Sequence, residues 1–272
     1  MTAVPVGFTA LEHRSLSEAL ERASEFDADF VEVKFTDFDP SDLVESAEHI
    51  RTAASTGDFD IFVHLPYAAP DLMLASSEDS VREMSLERFR SSIDMAAQLD
   101  ARKAVVHVDA HKHLNLVEVG RITDLDATVS ALEEYATAAD IELCIENLRG
   151  TSRRRLWPGD VARLCERIDA SMTLDTGHAR TIGYSDEDIA DFVRRHADHI
   201  GHVHLNDTRE PADEHLPFGA GTTDFERIFA AFPTDWVGTI NVEVKVTDYD
   251  YIAVSLQKLR SVLETGGIAT EQ

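Results

Sequence analysis

The sequence is poor in positive charge. Its 272 residues include 25 lysines and arginines against 51 aspartates and glutamates, which gives a net charge of −26. A protein that binds duplex DNA needs lysine and arginine against several phosphates, and this composition offers few of them. Dispersed acidic residues are instead typical of a surface that tolerates concentrated salt, where charge repulsion is screened. We therefore expect a halophilic protein.

Long hydrophobic runs and paired cysteines are also lacking. No apolar run reaches the roughly 18 residues that a membrane-spanning helix needs. The N-terminal residues do not show the positive and then apolar pattern of a signal peptide. Cys144 and Cys165 have no CxxC spacing, which indicates buried, reduced thiols. We expect a cytoplasmic protein without a membrane partner, and the sequence leaves homo-oligomer formation open.

Short apolar runs alternate with helical patterns along the whole chain. Strands are predicted at 4–9, 30–35, 61–64, 103–108, 141–146, 172–175, 200–205 and 238–244. Helices are predicted at 15–26, 40–54, 80–99, 126–139, 158–168, 185–196, 224–232 and 251–264. Apolar strands that alternate with helices favour a parallel sheet covered by helices. Eight such units predict a single-domain (β/α)8 TIM barrel over residues 1–272, with a frayed tail after about residue 266.

Acidic and histidine side chains stand where several predicted strands end. The run MTLDTGH closes on Asp175 and His178, and three other strands close on Glu146, His204 and Glu243. Each charged group in an apolar strand costs several kcal/mol unless something neutralises it. Because the C-terminal ends of barrel strands meet at one rim, these side chains predict one shared divalent-metal site. Its predicted ligands are Glu146, Asp175, His204 and Glu243.

Five motifs resemble the xylose-isomerase-like TIM-barrel superfamily. They are IENL around Glu146, LDTGHA from Leu174, HVHLND around His204, DEHLPFGAG from Asp213 and VEV around Glu243. This superfamily joins sugar and sugar-phosphate isomerases and epimerases with endonuclease IV, the apurinic/apyrimidinic endonuclease of AP endonuclease family 2. The resemblance spans almost the whole chain.

The isomerase and epimerase branch implies one divalent ion, Mn²⁺, Mg²⁺, Co²⁺ or Zn²⁺, on the four ligands named above. Glu146 and Glu243 would move a proton at a carbon next to a chelated carbonyl or hydroxyl group of the substrate. His178 and Arg209 would hold substrate oxygens, and Lys245 would face the same side as Glu243. We favour this function, with a sugar or a sugar phosphate as the substrate.

The endonuclease IV branch implies a trinuclear zinc site that hydrolyses DNA phosphodiesters. The additional metal ligands in that case would be His64, His107, His178, Asp213 and His215. Tyr67, three residues after His64, also matches and is expected to contact the substrate. The loop after the second predicted strand reads TDFDPSD, which is acidic where that enzyme contacts DNA. We therefore keep the endonuclease, with DNA as its partner, as the alternative.

One rim of the predicted barrel carries positive charge. Arg149, Arg153, Arg154 and Arg155 follow the fifth predicted strand, together with Trp157. Arginine side chains suit phosphate because they donate two parallel hydrogen bonds. The cluster favours a phosphorylated sugar or another small anion, although the same residues would also suit a helix entry paired with acidic surface.

Overall fold

The structure, a computed structural model, describes residues 4–67, 72–108, 125–150 and 156–266. Eight parallel strands in these ranges form a closed barrel in chain order. They are β1 Val6–Thr9, β2 Phe30–Lys34, β3 Asp60–His64, β4 Ala101–Val106, β5 Glu142–Glu146, β6 Ser171–Asp175, β7 Ile200–Leu205 and β8 Thr239–Val242. The predicted TIM barrel is confirmed. The expected frayed tail lies outside the described residues.

Helices cover the outside of the barrel and pack their apolar faces on the strands. They are α1 Leu16–Glu25, α2 Pro40–Glu45, α3 Ala47–Gly57, α4 Asp79–Gln98, α5 Leu125–Ala138, α6 Pro158–Ile168, α7 Thr176–Thr181, α8 Asp186–His196, α9 Phe225–Phe229 and α10 Asp250–Gly266. Among these helices none has the length and apolarity to cross a bilayer. Cys144 and Cys165 are buried and form no disulfide, and burial raises the pKa of the Cys165 thiol to about 12.

Two helical segments differ from the sequence-based expectation. The helix predicted at 40–54 is two helices, with Ser46 as both the C-terminal cap of α2 and the N-terminal cap of α3. The short helix α7 was not predicted. Asp175 caps α7 by accepting a hydrogen bond from the backbone N–H of His178. That cap brings two candidate metal ligands onto one turn of backbone.

The strand register places the candidate ligands side by side at the C-terminal rim. Asp175 at the end of β6 is the register partner of His204 on β7, and Lys34 at the end of β2 is the partner of His64 on β3. Glu243 directly follows β8, and its backbone N–H bonds to Leu205. Parallel pairing, with a register shift in each of the pairs β3–β4 and β6–β7, therefore sets the height of each side chain above the barrel core.

Five aspartates have positive φ angles, a backbone conformation in which glycine or asparagine is usually found. The positive φ angles of Asp27, Asp58, Asp100, Asp140 and Asp169 lie between 54° and 61°. Asp58 and Asp169 directly end α3 and α6 in this left-handed conformation. A negative charge at a helix C-terminus is unfavourable because it meets the negative end of the helix dipole. High salt would reduce that cost by screening the charge.

The substitution Asp169→Asn is expected to stabilise the protein at low salt. It keeps a side chain that tolerates positive φ and removes the unfavourable charge, a gain of about 0.5 kcal/mol, or about 1–2 °C in Tm. The gain should shrink in molar KCl. Thermal unfolding across KCl concentrations measures it. Asp42→Asn, in the first turn of α2, is the matched control and should instead destabilise slightly. A gain at Asp169 that does not depend on salt would contradict the electrostatic explanation.

Candidate metal centre

Four side chains from four strand ends meet at the centre of the C-terminal rim. Glu146, Asp175, His204 and Glu243 each offer one ligand atom, and these atoms all lie within 4.8 Å of one another. All four side chains are buried. Nδ1 of His204 lies 3.3 Å from Oε2 of Glu243 and 3.5 Å from Oε1 of Glu146. This central group can hold a divalent ion.

Three further groups adjoin the central group, and one of them, Glu32, His202 and His204, shares His204 with it. The other two are the first flanking group, His64, His107 and Glu146, and the outer flanking group, His178, Asp213 and His215. Glu146 belongs to both the central and the first flanking group, and its Oε2 lies 3.2 Å from Nε2 of His64. Its Oε1 lies 3.1 Å from Nδ1 of His178. The central group and the two flanking groups thus form one continuous cluster around Glu146.

The histidine rings are oriented by hydrogen bonds on the side away from the ligand groups. Nδ1 of His64 is 2.9 Å from the carbonyl of Leu65, which leaves Nε2 to face Glu146. Nδ1 of His215 is 3.1 Å from the carbonyl of Glu243, which leaves Nε2 to face Asp213. A ring nitrogen that donates to a carbonyl leaves a lone pair on the other nitrogen. That is the tautomer a metal ligand needs.

The DTGH segment is locked in place by two asparagines. Asn147 accepts a hydrogen bond from the backbone N–H of Asp175 and donates one to its carbonyl. The amide of Asn206 lies 3.3 Å from both carboxylate oxygens of Asp175. A Cβ on Gly177 would lie 1.9 Å from Oδ1 of Asn206, so only glycine fits between them. The carboxylate of Asp175 therefore has one fixed orientation.

Asp207 holds the loop that carries Asp213 and His215. Its carboxylate accepts backbone N–H bonds from Thr208, Gly219, Gly221 and Thr223. Two backbone hydrogen bonds of 2.9 Å also join Asp207 to Leu216. Asp207 is not one of the possible metal ligands, but its hydrogen bonds to backbone N–H groups hold the loop that positions the outer flanking group.

Two of the three buried carboxylates, Glu146 and Glu243, are kept ionised by neighbouring cationic groups. Burial opposes ionisation of Glu146, but the nearby His107 ring holds the pKa of this carboxyl well below its ordinary value. Burial likewise opposes ionisation of Glu243, and the Lys34 ammonium holds the pKa of Glu243 well below its ordinary range. Burial raises the pKa of Asp175. A bound cation would take over this neutralisation.

A cavity of about 130 Å³ opens above the cluster. It is lined by Lys34, His64, Tyr67, His107, Glu146, Leu148, Arg149, His178, Asp213, His215, Glu243 and Lys245. The predicted residues Tyr67 and Lys245 are therefore in the lining. A second cavity of about 300 Å³ lies against the segments that follow β1, β2 and β8. The two cavities share Lys34, Tyr67, His215, Glu243 and Lys245.

The expectation that Arg209 holds substrate oxygens is not supported. Its guanidinium pairs with Glu214 at 2.6 Å, its side chain is 64% exposed, and it is absent from the described lining of the cavity. The acidic residue five positions later captures the guanidinium. Arg153, Arg154 and Arg155 lie outside the described residues. Arg149 of the same run lines the cavity.

Two side chains of β2 have partners that the sequence did not predict. Glu32 and Lys34 are two residues apart on β2 and therefore point to the same face of the strand. In the structure, Oε2 of Glu32 lies 3.0 Å from Nε2 of His204, and Lys34 pairs with Glu243. The two residues face different layers of the barrel interior. Only the closed barrel brings β2 near β7 and β8, so no local sequence signal could identify these partners.

The family described as xylose isomerase-like TIM barrel matches residues 20–262 of the chain. The chain belongs to this family. The "uncharacterized protein MJ1311" of Methanocaldococcus jannaschii is 31% identical over 200 residues, which are 69% of this chain and 65% of that protein. A "probable endonuclease 4" of Mycobacterium ulcerans is 31% identical over 199 residues, 69% of this chain and 72% of that protein.

A solved structure extends the similarity over nearly the whole barrel. The crystal structure of a D-tagatose 3-epimerase-like protein superposes with a TM-score of 0.78 and 26% sequence identity. The match covers 96% of this chain and 98% of that one. The xylose isomerase-like family therefore relates this chain to both epimerases and endonucleases.

Metal binding at the outer flanking group should depend on pH. Burial disfavours the charged ring of His178, but Asp175 and Glu146 raise its pKa to about 9. A metal ligand must be neutral, so below pH 9 an ion has to displace a proton. The affinity of this group for Co²⁺ should rise up to about tenfold per pH unit between about pH 7 and 9.

Calorimetry in buffers with different ionisation enthalpies measures both the affinity and the protons released. His178→Gln should abolish this pH-dependent step, while His49→Gln, which removes an exposed histidine of α3, should keep it. A Co²⁺ affinity that stays constant across this pH range would contradict the assignment of His178 as a ligand.

Proposed function

We propose that the chain is a divalent-metal-dependent isomerase or epimerase of a sugar or sugar phosphate. The observation that carries the proposal is the convergence of two glutamates, Glu146 and Glu243, on one buried group of metal ligands beneath a cavity of about 130 Å³. This volume is comparable to about four molecules of liquid water, which suits part of a small substrate. The similarity to the D-tagatose 3-epimerase-like protein supports the same chemistry.

The residues of the central group fit a metal ion. Nδ1 of His204 and Oε2 of Glu243 belong to this group, are buried, and lie 3.3 Å apart without forming a hydrogen bond. Buried polar atoms are nearly always satisfied, so these two atoms are expected to have a ligand. Oδ1 of Asp213, in the outer flanking group, is a third such atom. Glu146, Asp175, His204 and Glu243 would hold the catalytic ion.

The two glutamates would move the proton. When bound, a divalent ion supplies positive charge that stabilises negative charge developing on substrate oxygens. Glu243 comes from the end of β8 and would take a proton from the carbon beside the carbonyl. Glu146 comes from the end of β5 and would return a proton to the substrate. In a site that holds only the central ion, His178, which lines the cavity, would hold a substrate oxygen.

The surroundings of the two carboxylates suggest that Glu243 is the more reactive one. Both oxygens of Glu146 are contacted by histidines, Oε2 by His64 and His107 and Oε1 by His178. Oε1 of Glu243 pairs with Lys34, while its Oε2 lies 3.3 Å from Nδ1 of His204 without forming a hydrogen bond. A carboxylate with fewer fixed partners can exchange a proton with less reorganisation of its surroundings.

The substitution Glu243→Gln is expected to lower turnover at least about 100-fold, because an amide cannot accept the proton. Deuterium incorporation from D₂O into ketoses and ketose phosphates, followed by NMR with Mn²⁺-loaded protein, measures the proton transfer. Glu166→Gln, a partly exposed glutamate of α6, is the matched control and should retain full exchange. Circular dichroism verifies that both variants are folded. Unchanged exchange in Glu243→Gln would refute the assigned role.

Phosphodiester hydrolysis is the second candidate, favoured by the two flanking groups next to the central one. Together the three adjacent groups offer more metal ligands than a reaction with a single ion needs. Sites with several ions stabilise both the attacking and the leaving oxygen of a phosphodiester. The similarity to endonuclease 4 of Mycobacterium ulcerans points the same way. Nicking of duplex DNA with an abasic site in molar KCl, together with no deuterium exchange in any sugar, would replace the first candidate by this one.

A further inference from the structure

Three basic side chains surround the mouth of the cavity in a protein with few basic residues. Lys34, Arg149 and Lys245 all line it. The whole sequence has only five lysines, so two of the five stand at this one place. The neighbouring carboxylates account for these three cations as long as no metal ion is bound to the same carboxylates.

Each of the three cations is paired with a carboxylate that is a candidate metal ligand. Lys34 pairs with Glu243, Arg149 pairs with Asp213, and Nζ of Lys245 lies 3.6 Å from Oδ2 of Asp213. A cation so placed competes with the metal for the carboxylate and lowers metal affinity. When an ion takes over the charge of Glu243 and Asp213, the three basic groups lose much of their electrostatic compensation. They then become available to another anion.

Lys34 and Lys245 also lie at the boundary between two cavities. Lys34 and Lys245 line both the cavity above the metal ligands and the 300 Å³ cavity beside it. The Lys34 side chain is only 13% exposed, so its charge is poorly screened by water. The Lys245 side chain is 62% exposed, and this residue follows Glu243 by two positions in the sequence. If the anionic group of a small ligand lay between the two lysines, the neighbouring atoms of that ligand would reach the central group.

We propose that the substrate is a small anionic carbohydrate, whose phosphate or carboxylate group binds between Lys34 and Lys245. The proposal deepens the proposed function by naming the substrate class of the same site, and it rests on metal loading of that site. Arg149, which follows β5 at the same rim, contributes a third positive charge. Ion pairing with these side chains would select the anionic substrate over its neutral analogue.

Three small probes of matched size test this inference by binding alone. Glycerol 3-phosphate, glycerate and glycerol differ in the anionic group, and none has a carbonyl that the proposed reaction would consume. Isothermal titration of each into the full-length, Mn²⁺-loaded protein measures its Kd. We expect at least one of the two anions to bind about tenfold or more tightly than glycerol. A preference for glycerol 3-phosphate identifies a phosphorylated substrate, and a preference for glycerate identifies a sugar acid.

Variants of Lys34 and Lys245 determine whether these two side chains cause the tighter binding of the anionic probes. Lys245→Met and Lys34→Met should each reduce the preference for the anion about tenfold, while Arg194→Met, which removes a surface charge on α8, should leave it unchanged. Lys245 is largely exposed, so its replacement should not disturb folding. Equal binding of all three probes, or an anion preference that both lysine variants retain, overturns the inference.

This experiment is independent of turnover. If sugars exchange deuterium while the lysines have no effect on anion binding, the proposed function stands and the substrate class is wrong. If the lysines control anion binding while no sugar is turned over, the anion site stands and the isomerase function is wrong.

Discussion

Repulsion between buried carboxylates is the constraint on which this rim of the barrel depends. Glu146, Asp175 and Glu243 are all buried and place oxygens within 4.8 Å of one another. Unpaired negative charges at that separation and depth would strongly destabilise the fold. The protein compensates with histidine rings and with Lys34 on Glu243. The same compensation makes the site ready for a metal ion, which would replace several weak contacts by one divalent charge.

A second layer of residues keeps the ligands in place when a metal ion replaces the cationic side chains as the compensating charge. Glu32 orients the ring of His204, Asn147 and Asn206 fix Asp175, and Asp207 fixes the outer loop. Such outer contacts commonly determine metal affinity as much as the ligands do. The barrel supplies this arrangement because each strand ends at the same rim, so one residue per strand is enough to build the inner layer.

The parts of the fold that follow from local pattern could be predicted from sequence. Eight apolar runs and the spacing of helices such as α1 and α8 identify the barrel, and charged strand ends identify Glu146, Asp175, His204 and Glu243 as neighbours. The helix α7 escaped prediction because six residues carry too little periodic pattern. Long-range partners escaped for another reason. The pairing of Lys34 with Glu243 joins residues more than 200 positions apart, and the capture of Arg209 by Glu214 depends on a loop conformation that composition does not encode.

The central claim is that four side chains from distant strands hold one divalent ion. Crystals grown with Mn²⁺ or Zn²⁺ and measured at the absorption edge of that metal test it most directly, because the anomalous difference map locates each ion. We expect a peak about 2.0–2.2 Å from ligand atoms of Glu146, Asp175, His204 and Glu243. Metal bound in solution but found in the crystal only away from these four side chains would contradict the account.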